Sequence, residues 1–312
     1  MKPMISYLPS EAPMPENQEP SIWAALAIAG LCVSFGANAT AIKISLTGVG
    51  VFTTAGIRFT MASMAIAIWA YVTGRSFALK KGQFKIVALI TCLFIGQISL
   101  FYMGLKYTHA SRGTLLANLQ PFFVLILAHF MIPGDRITLK KTVGILCGFA
   151  GVAFMFLQKE GITKDLRTGD LLALSSVLLW AVNAVYTKKI LSGFRPFHLV
   201  LYPGMLAVPV FFLEGMIWDS PMIIGLTPHI LMALLYQGLV TASFGFVLWM
   251  HFLNRYGAVS MHSFIFILPM SGVFFGGLIL KEPVVTSHMV LSLGFIMTGI
   301  FIVHSKGFKK RS

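Results

Sequence analysis

Phe35-Gly-Ala-Asn-Ala-Thr-Ala-Ile-Lys43 and Trp180-Ala-Val-Asn-Ala-Val-Tyr-Thr-Lys188 are two versions of one phrase. In each, an aromatic residue precedes an asparagine by three positions, a lysine follows five further on, and the setting is apolar. Asn38 matches Asn183 and Lys43 matches Lys188 at an offset of 145. Farther along, Ala110 matches Ala258 and Pro121 matches Pro269 at 148, Asp135 matches Glu282 at 147, and Gly151 matches Gly299 at 148. Each pair is weak alone. The preserved order and near-constant offset mark an internal duplication.

The surroundings of the phrase set its solvent. Of 312 residues, 57% are hydrophobic and 11% charged, and the mean hydropathy is +0.83. A water-facing domain carries about 25% charged residues, so lipid must solvate most of this chain. A membrane-crossing helix needs about 20 mostly apolar residues. Ten such stretches are present, at 22–43, 52–72, 85–106, 110–132, 141–158, 169–187, 198–218, 229–250, 258–280 and 286–304. The joints at Lys106–Ser111 and Asn254–Gly257 are tight enough that either pair could be fused. The runs are too long for barrel strands and do not alternate, so the expected class is all-α and polytopic.

Five helices per copy is an odd number. The two copies must then enter the bilayer in opposite senses, the inverted-repeat plan of many secondary transporters. The chain divides into a tail at 1–21, a first repeat at 22–157, a linker at 158–168, a second repeat at 169–304 and a basic tail at 305–312. The tail holds Glu11, Glu16 and Glu19 with several prolines and does not resemble a signal peptide.

Net charge is +14. The basic residues fall in short runs between apolar stretches, which argues for topology-setting loops and against nucleic acid. With the N-terminus inside, the cytoplasmic segments collect the runs Arg75–Lys85, Arg136–Lys141, Lys188–Arg195 and Lys306–Arg311. The outer segments collect Lys43, Lys106, Arg112, Lys159, Lys164, Arg167 and Lys281. This bias predicts both termini in the cytoplasm, and the expected location is the cell inner (plasma) membrane. Cys32, Cys92 and Cys147 have no metal-ligand spacing and read as free packing thiols. No metal or cofactor is expected. The expected partners are a small-molecule substrate and the lipid bilayer, and a homodimer is left open.

The fragment W/F-x-x-N-A-x-x-x-K in each half resembles the EamA-type branch of the drug/metabolite transporter superfamily. So do Arg58-Phe59, Tyr107-Thr108-x-Ala110 leading to Pro121-Phe122, and Asp135-Arg136 before a Gly-rich fifth helix. Ala258, Pro269 and Lys281-Glu282-Pro283 repeat the pattern in the second half. The resemblance covers residues 25–303. It implies ten helices, cytoplasmic termini, peripheral fifth and tenth helices, and a central cavity lined by both halves. Members export amino acids or other metabolites, and some carry nucleotides, sugars or drugs. Phe35-Gly36 stands where Trp-Gly is usual, and Trp180-Ala181 lacks the glycine.

Polar groups inside a membrane are costly, and each is either a solute contact or helix–helix glue. Asn38 and Asn183 offer amides suited to a zwitterion, or a structural hydrogen bond across the pseudo-symmetry axis. Trp180 and Tyr186 flank Asn183 at spacings of three, so the three could share a face. Pro121 and Pro269 kink the fourth and ninth spans, as a broken-helix site or as packing. Asn118 and Gln120 lie beside the first kink, and Gly272 and Gly276 thin the ninth helix for close approach. Arg58, about 10 Å into its span, either snorkels outward or attracts an anion. Gln97 and Gln237 complete the candidate set. No carboxylate stands clearly mid-span. Glu214 is near the end of the seventh span and Asp170 at the start of the sixth.

A secondary transporter of small metabolites, as exporter or exchanger, is the reading that joins these features. A channel and a membrane-embedded enzyme are its rivals. The chain has no phosphate-binding G-x-x-x-x-G-K-[ST] loop, no H-E-x-x-H and no G-x-S-x-G.

Overall fold

A computed structural model describes residues 20–132, 137–157, 163–190, 194–195, 197–249, 251–252, 255–256, 264–265, 267–284 and 286–304. The sequence features at Asp135-Arg136 and Ala258, residues 1–19 and 305–312 of the tails and residues 158–162 of the linker lie outside the described residues. Ten helices are described: α1 (Ile22–Ser45), α2 (Val51–Val72), α3 (Gln83–Tyr107), α4 (Ala110–Met131), α5 (Leu139–Leu157), α6 (Lys164–Ile190), α7 (His198–Trp218), α8 (Pro228–Trp249), α9 (Ile267–Leu280) and α10 (Ser287–His304). α1 to α8 are each long and apolar enough to cross a bilayer. Ile267–Leu280 and Ser287–Val303 are apolar but shorter. The expected ninth span began at 258, and 257–263 and 266 lie outside the described residues.

Local chemistry explains where several helices begin and break. Ser21 caps α1 by accepting from the Ala24 N–H, and Thr227 caps α8 by accepting from Ile230 with Pro228 at its first turn. α3 and α4 do not fuse: the chain is extended at Thr108 and His109 between them. α4 is itself interrupted, as Ala110–Ala117 and Gln120–Met131, with Pro121 in the first turn of the second piece. α8 widens to a π-helix over Tyr236–Gly245, a departure often found at functional sites.

The helix contacts repeat with the halves exchanged. α1 packs on α9 as α6 packs on α4, α3 on α6 as α8 on α1, and α2 on α8 as α7 on α3. Three contacts are their own counterparts: α2 with α7, α4 with α9, and α5 with α10. α5 and α10 pair chiefly with each other. Their approach is close because glycines face backbone: a Cβ on Gly151 would come within 2.7 Å of the Ser292 carbonyl oxygen.

Candidate functional site

α1, α3, α7 and α9 finish at one end of the bundle, and α2, α4, α6 and α10 begin there. Side chains from the second half close this end on the first. Asp219, after α7, accepts from the Val51 and Thr53 N–H groups at 2.9 and 2.8 Å and so caps α2. Glu282, after α9, accepts from the Ala110 and Ser111 N–H groups at 2.6 and 2.9 Å and caps α4. Lys281 holds a left-handed φ of 54° that turns the chain into this cap. Arg112 and Asp170 form a buried ion pair joining α4 to α6, closed at 2.5 Å, and Thr108 donates to the same carboxylate at 2.5 Å. Lys43 donates to the Thr108 carbonyl at 2.8 Å. The stretch Ala110–Leu116 is buried throughout, as is Val51–Gly56. We call this the sealed end.

A chain of polar side chains runs behind it. Arg58 on α2 donates to the Tyr102 hydroxyl on α3 at 3.0 Å. Tyr102 donates to Gln237 Oε1 on α8 at 3.0 Å. Gln237 Nε2 donates to Ser45 Oγ and the Ala41 carbonyl on α1 at 2.7 and 3.2 Å. Tyr102 and Gln237 are fully buried. Arg58 was expected to snorkel outward or to attract an anion; its guanidinium ties to Tyr102 and lies 5.1 Å from the Phe59 ring centroid. Such a cation is stabilised by the ring's electron-rich face.

The paired asparagines occupy equivalent contacts. Asn183 on α6 donates to Gln97 Oε1 on α3 at 3.3 Å, and Asn38 on α1 accepts from Thr241 on α8 at 3.0 Å. They do not bond to each other across the axis; each ties its helix to the α3 or α8 of the other half. The three residues expected on one face spread out, with Trp180 and Tyr186 about 60° to either side of Asn183. At about 100° per residue, Trp180 falls in the sector of buried Ala173, Ser176 and Asn183, whereas Tyr186 falls beside exposed Leu171 and Leu178. Asn118 is buried and donates to the Thr114 carbonyl of its own helix at 2.8 Å. Gln120 and Pro121 are half-buried and Pro269 is buried. A tight turn precedes each proline: Leu119 donates to Leu116 O at 2.9 Å, and Ile267 donates to Phe264 O at 3.0 Å. Gly272 meets Thr114, and Gly276 meets Ser111 and Glu282, so both glycines let α9 approach α4.

The opposite end is looser. Where the end of α1 buries Ala39–Ile42 and Ser45, the equivalent end of α6 leaves Ala184 and Thr187 half-buried and Lys188 exposed. Trp180 is 42% exposed although it lies in the inward sector. Two cavities among the described residues lie instead at the sealed end. One of about 490 Å³ is lined by Phe274, Gly277, Leu278 and Glu282, and one of about 200 Å³ by Leu46, Lys106, Trp218 and Asp219. The hollow expected at the level of the two prolines is not among them. No group of three or more His, Cys, Asp or Glu among the described residues could hold a metal ion.

Sequence reasoning missed Tyr102, and it counted Arg112 as a loop charge. A usable signal existed for the latter: Arg112 and Asp170 are opposite charges at the starts of even-numbered spans, hence at one membrane face. For Tyr102, nothing in its apolar run set it apart.

Residues 22–157 and 167–305 each match the EamA-like transporter family. The uncharacterized transporter YoaV of Bacillus subtilis is 22% identical over 279 residues, covering 89% of this chain and 95% of that protein. An uncharacterized transporter of Archaeoglobus fulgidus is 28% identical over 291 residues, covering 91% and 99%. A solved crystal structure at 15% identity aligns with a TM-score of 0.67 over 90% of this chain and 96% of that one, a likeness of fold alone.

Proposed function

Because the chain belongs to the EamA-like transporter family, we propose that it carries small metabolites, amino acids or related solutes, by alternating access between two inverted five-helix halves. Family membership makes it a transporter in the broad sense. The substrate class and the mechanism are our reading. One observation carries it: helix contacts that exchange between the halves coexist with one closed end and one looser end. Exchange symmetry supplies a second conformation in which the closed and loose ends trade roles. A channel would need both ends passable at once, and the buried pair at the sealed end opposes that.

The solute is taken to enter from the looser end and to sit against Trp180, Asn38, Asn183 and the broken α4 at Gln120–Pro121. Gln97 holds Asn183 in place. The basic-loop bias assigns the sealed end to the outside, with both termini in the cytoplasm and the chain in the plasma membrane. Export or exchange then begins with solute entering from within.

Reconstitution tests this. Proteoliposomes loaded with one unlabelled amino acid at a time, then given the labelled form outside, are expected to show saturable, trans-stimulated uptake for some members of the panel. Flux that never saturates would favour a pore. Normal uptake by both Asn38→Ala and Asn183→Ala would remove the asparagines from the solute site.

A further inference from the structure

We propose that Arg58, Tyr102, Gln237 and Ser45 form a one-sided polar latch, which holds the sealed end shut and biases the resting protein toward opening at the other end. The inference rests on the alternating-access reading above and adds which end is favoured and why.

The central link joins α3 to α8, through Tyr102 and Gln237. These helices are counterparts under the exchange of halves, so a bond between them has a symmetry-related position at the opposite end. The asparagine contacts fix that relation, because Gln97 and Thr241 play the same part for Asn183 and Asn38 at an offset of 144. The same offset carries Tyr102 to Phe246 and Gln237 to Leu93. The offset of 145 carries Ser45 to Ile190, and the starts of α2 and α7 carry Arg58 to Met205. Four hydrogen-bonding side chains therefore correspond to four apolar ones.

The two ends must then close by different physics. At the sealed end, buried donors and acceptors are paired, and parting α3 from α8 strands them until water arrives. Arg58 Nε is already buried without a partner, so the hydroxyl of Tyr102 is a needed outlet for that cation. At the other end, the four counterpart positions are apolar. Phe246 is 42% exposed and Met205 45% exposed in this structure, and Leu93 and Ile190 are half-buried. A duplicated protein with equivalent gates would spend equal time in both states; this one should not.

The test is cysteine labelling of the full chain in nanodiscs, where both ends meet the same reagent. In a background with Cys32, Cys92 and Cys147 replaced by alanine, Ala39→Cys reports on the sealed end and Ala184→Cys on the open end. Tyr102→Phe and Gln237→Leu each give the sealed end the chemistry of its counterpart. Each should raise the maleimide labelling rate at position 39 by about tenfold, the population shift that loss of one buried hydrogen bond supports. Labelling at position 184 should fall in the same samples. The converse variant, Leu93→Gln with Phe246→Tyr, should slow labelling at 184. Rates at position 39 unchanged within about twofold in both single variants would overturn the latch. A rise at 39 without a fall at 184 would keep the latch and defeat the alternating-access reading instead.

Discussion

Removing either member of the Arg112–Asp170 pair leaves the other's charge buried without the ion pair that balances it. The two side chains are 3% and 0% exposed, so solvent screens little of the loss. Asp170→Asn or Arg112→Gln is expected to destabilise the protein by about 3–5 kcal/mol, whereas the apolar pair Arg112→Met with Asp170→Leu should recover most of it. Thermal melts in one detergent check both. His109 sits between α3 and α4, facing Glu282, Asp170, Lys43 and Arg112. Burial is the main cause that lowers its pKa, with Lys43 and Arg112 adding to it and the two carboxylates opposing. A folded-state pKa below the ordinary value of about 6.5 means that the unfolded chain takes up a proton the native one refuses. Stability should therefore fall as pH drops through that value, and His109→Asn should flatten the dependence in melts between about pH 5 and 8. At this scale the sequence was a partial guide. The asparagines stood out because each repeats within an apolar run. Arg58 was visible as a cation, but its partner is a tyrosine one helix away in sequence, and no spacing rule links the two. Tyr186 was misplaced because two successive steps of three residues rotate by 120° in total, too far for one face.

The helices were legible as apolar runs, since lipid forces backbone groups to pair within each segment. The break in α4 followed from Pro121. The π-helical stretch of α8 did not show in advance: Tyr236–Gly245 contains no proline and no other sequence signal for the widening. The α5–α10 crossing gives the clearest element-level prediction. A Cβ on Gly299 would come within 2.6 Å of the Gly144 carbonyl oxygen and 2.8 Å of the Gly148 nitrogen, and backbone cannot rotate aside. Gly299→Ala should cost about 1–3 kcal/mol. Gly294, five residues earlier on the same helix, has nothing within 4 Å of that position. Gly294→Ala should be neutral or stabilise by up to about 1 kcal/mol, because alanine is the better helix former. Paired melts of the two variants separate packing at the crossing from any general effect of glycine replacement.

If the two ends alternate as proposed, some contacts of the whole molecule must hold while others part, and the two α2–α7 junctions indicate which hold. At the sealed end, Asp219 caps α2, and the Val49 and Ile223 loops form an antiparallel bridge in which Gly50 donates to the Met222 carbonyl and Ile224 to that of Gly48. At the open end, His198 Nε2 lies 2.9 Å from the Ser76 carbonyl oxygen, Arg195 reaches the same oxygen at 3.3 Å, and Phe77 meets Phe197 edge-on. Both junctions are closed in one structure, although the ends of α1 and α6 differ. On the alternating-access reading proposed above, the α2–α7 pair is the expected pivot, and the gates are expected where α3 meets α8. Val49 and Ile223 are a bridge pair without mutual hydrogen bonds, whose Cα atoms stand about 4.5 Å apart, within disulfide range. In the cysteine-free background, Val49→Cys with Ile223→Cys should oxidise readily. The cross-linked protein should keep the solute flux of its reduced form, because a staple at a pivot restrains nothing that turns. Abolished flux that returns on reduction would move the gate to the α2–α7 junction and leave the pivot without support.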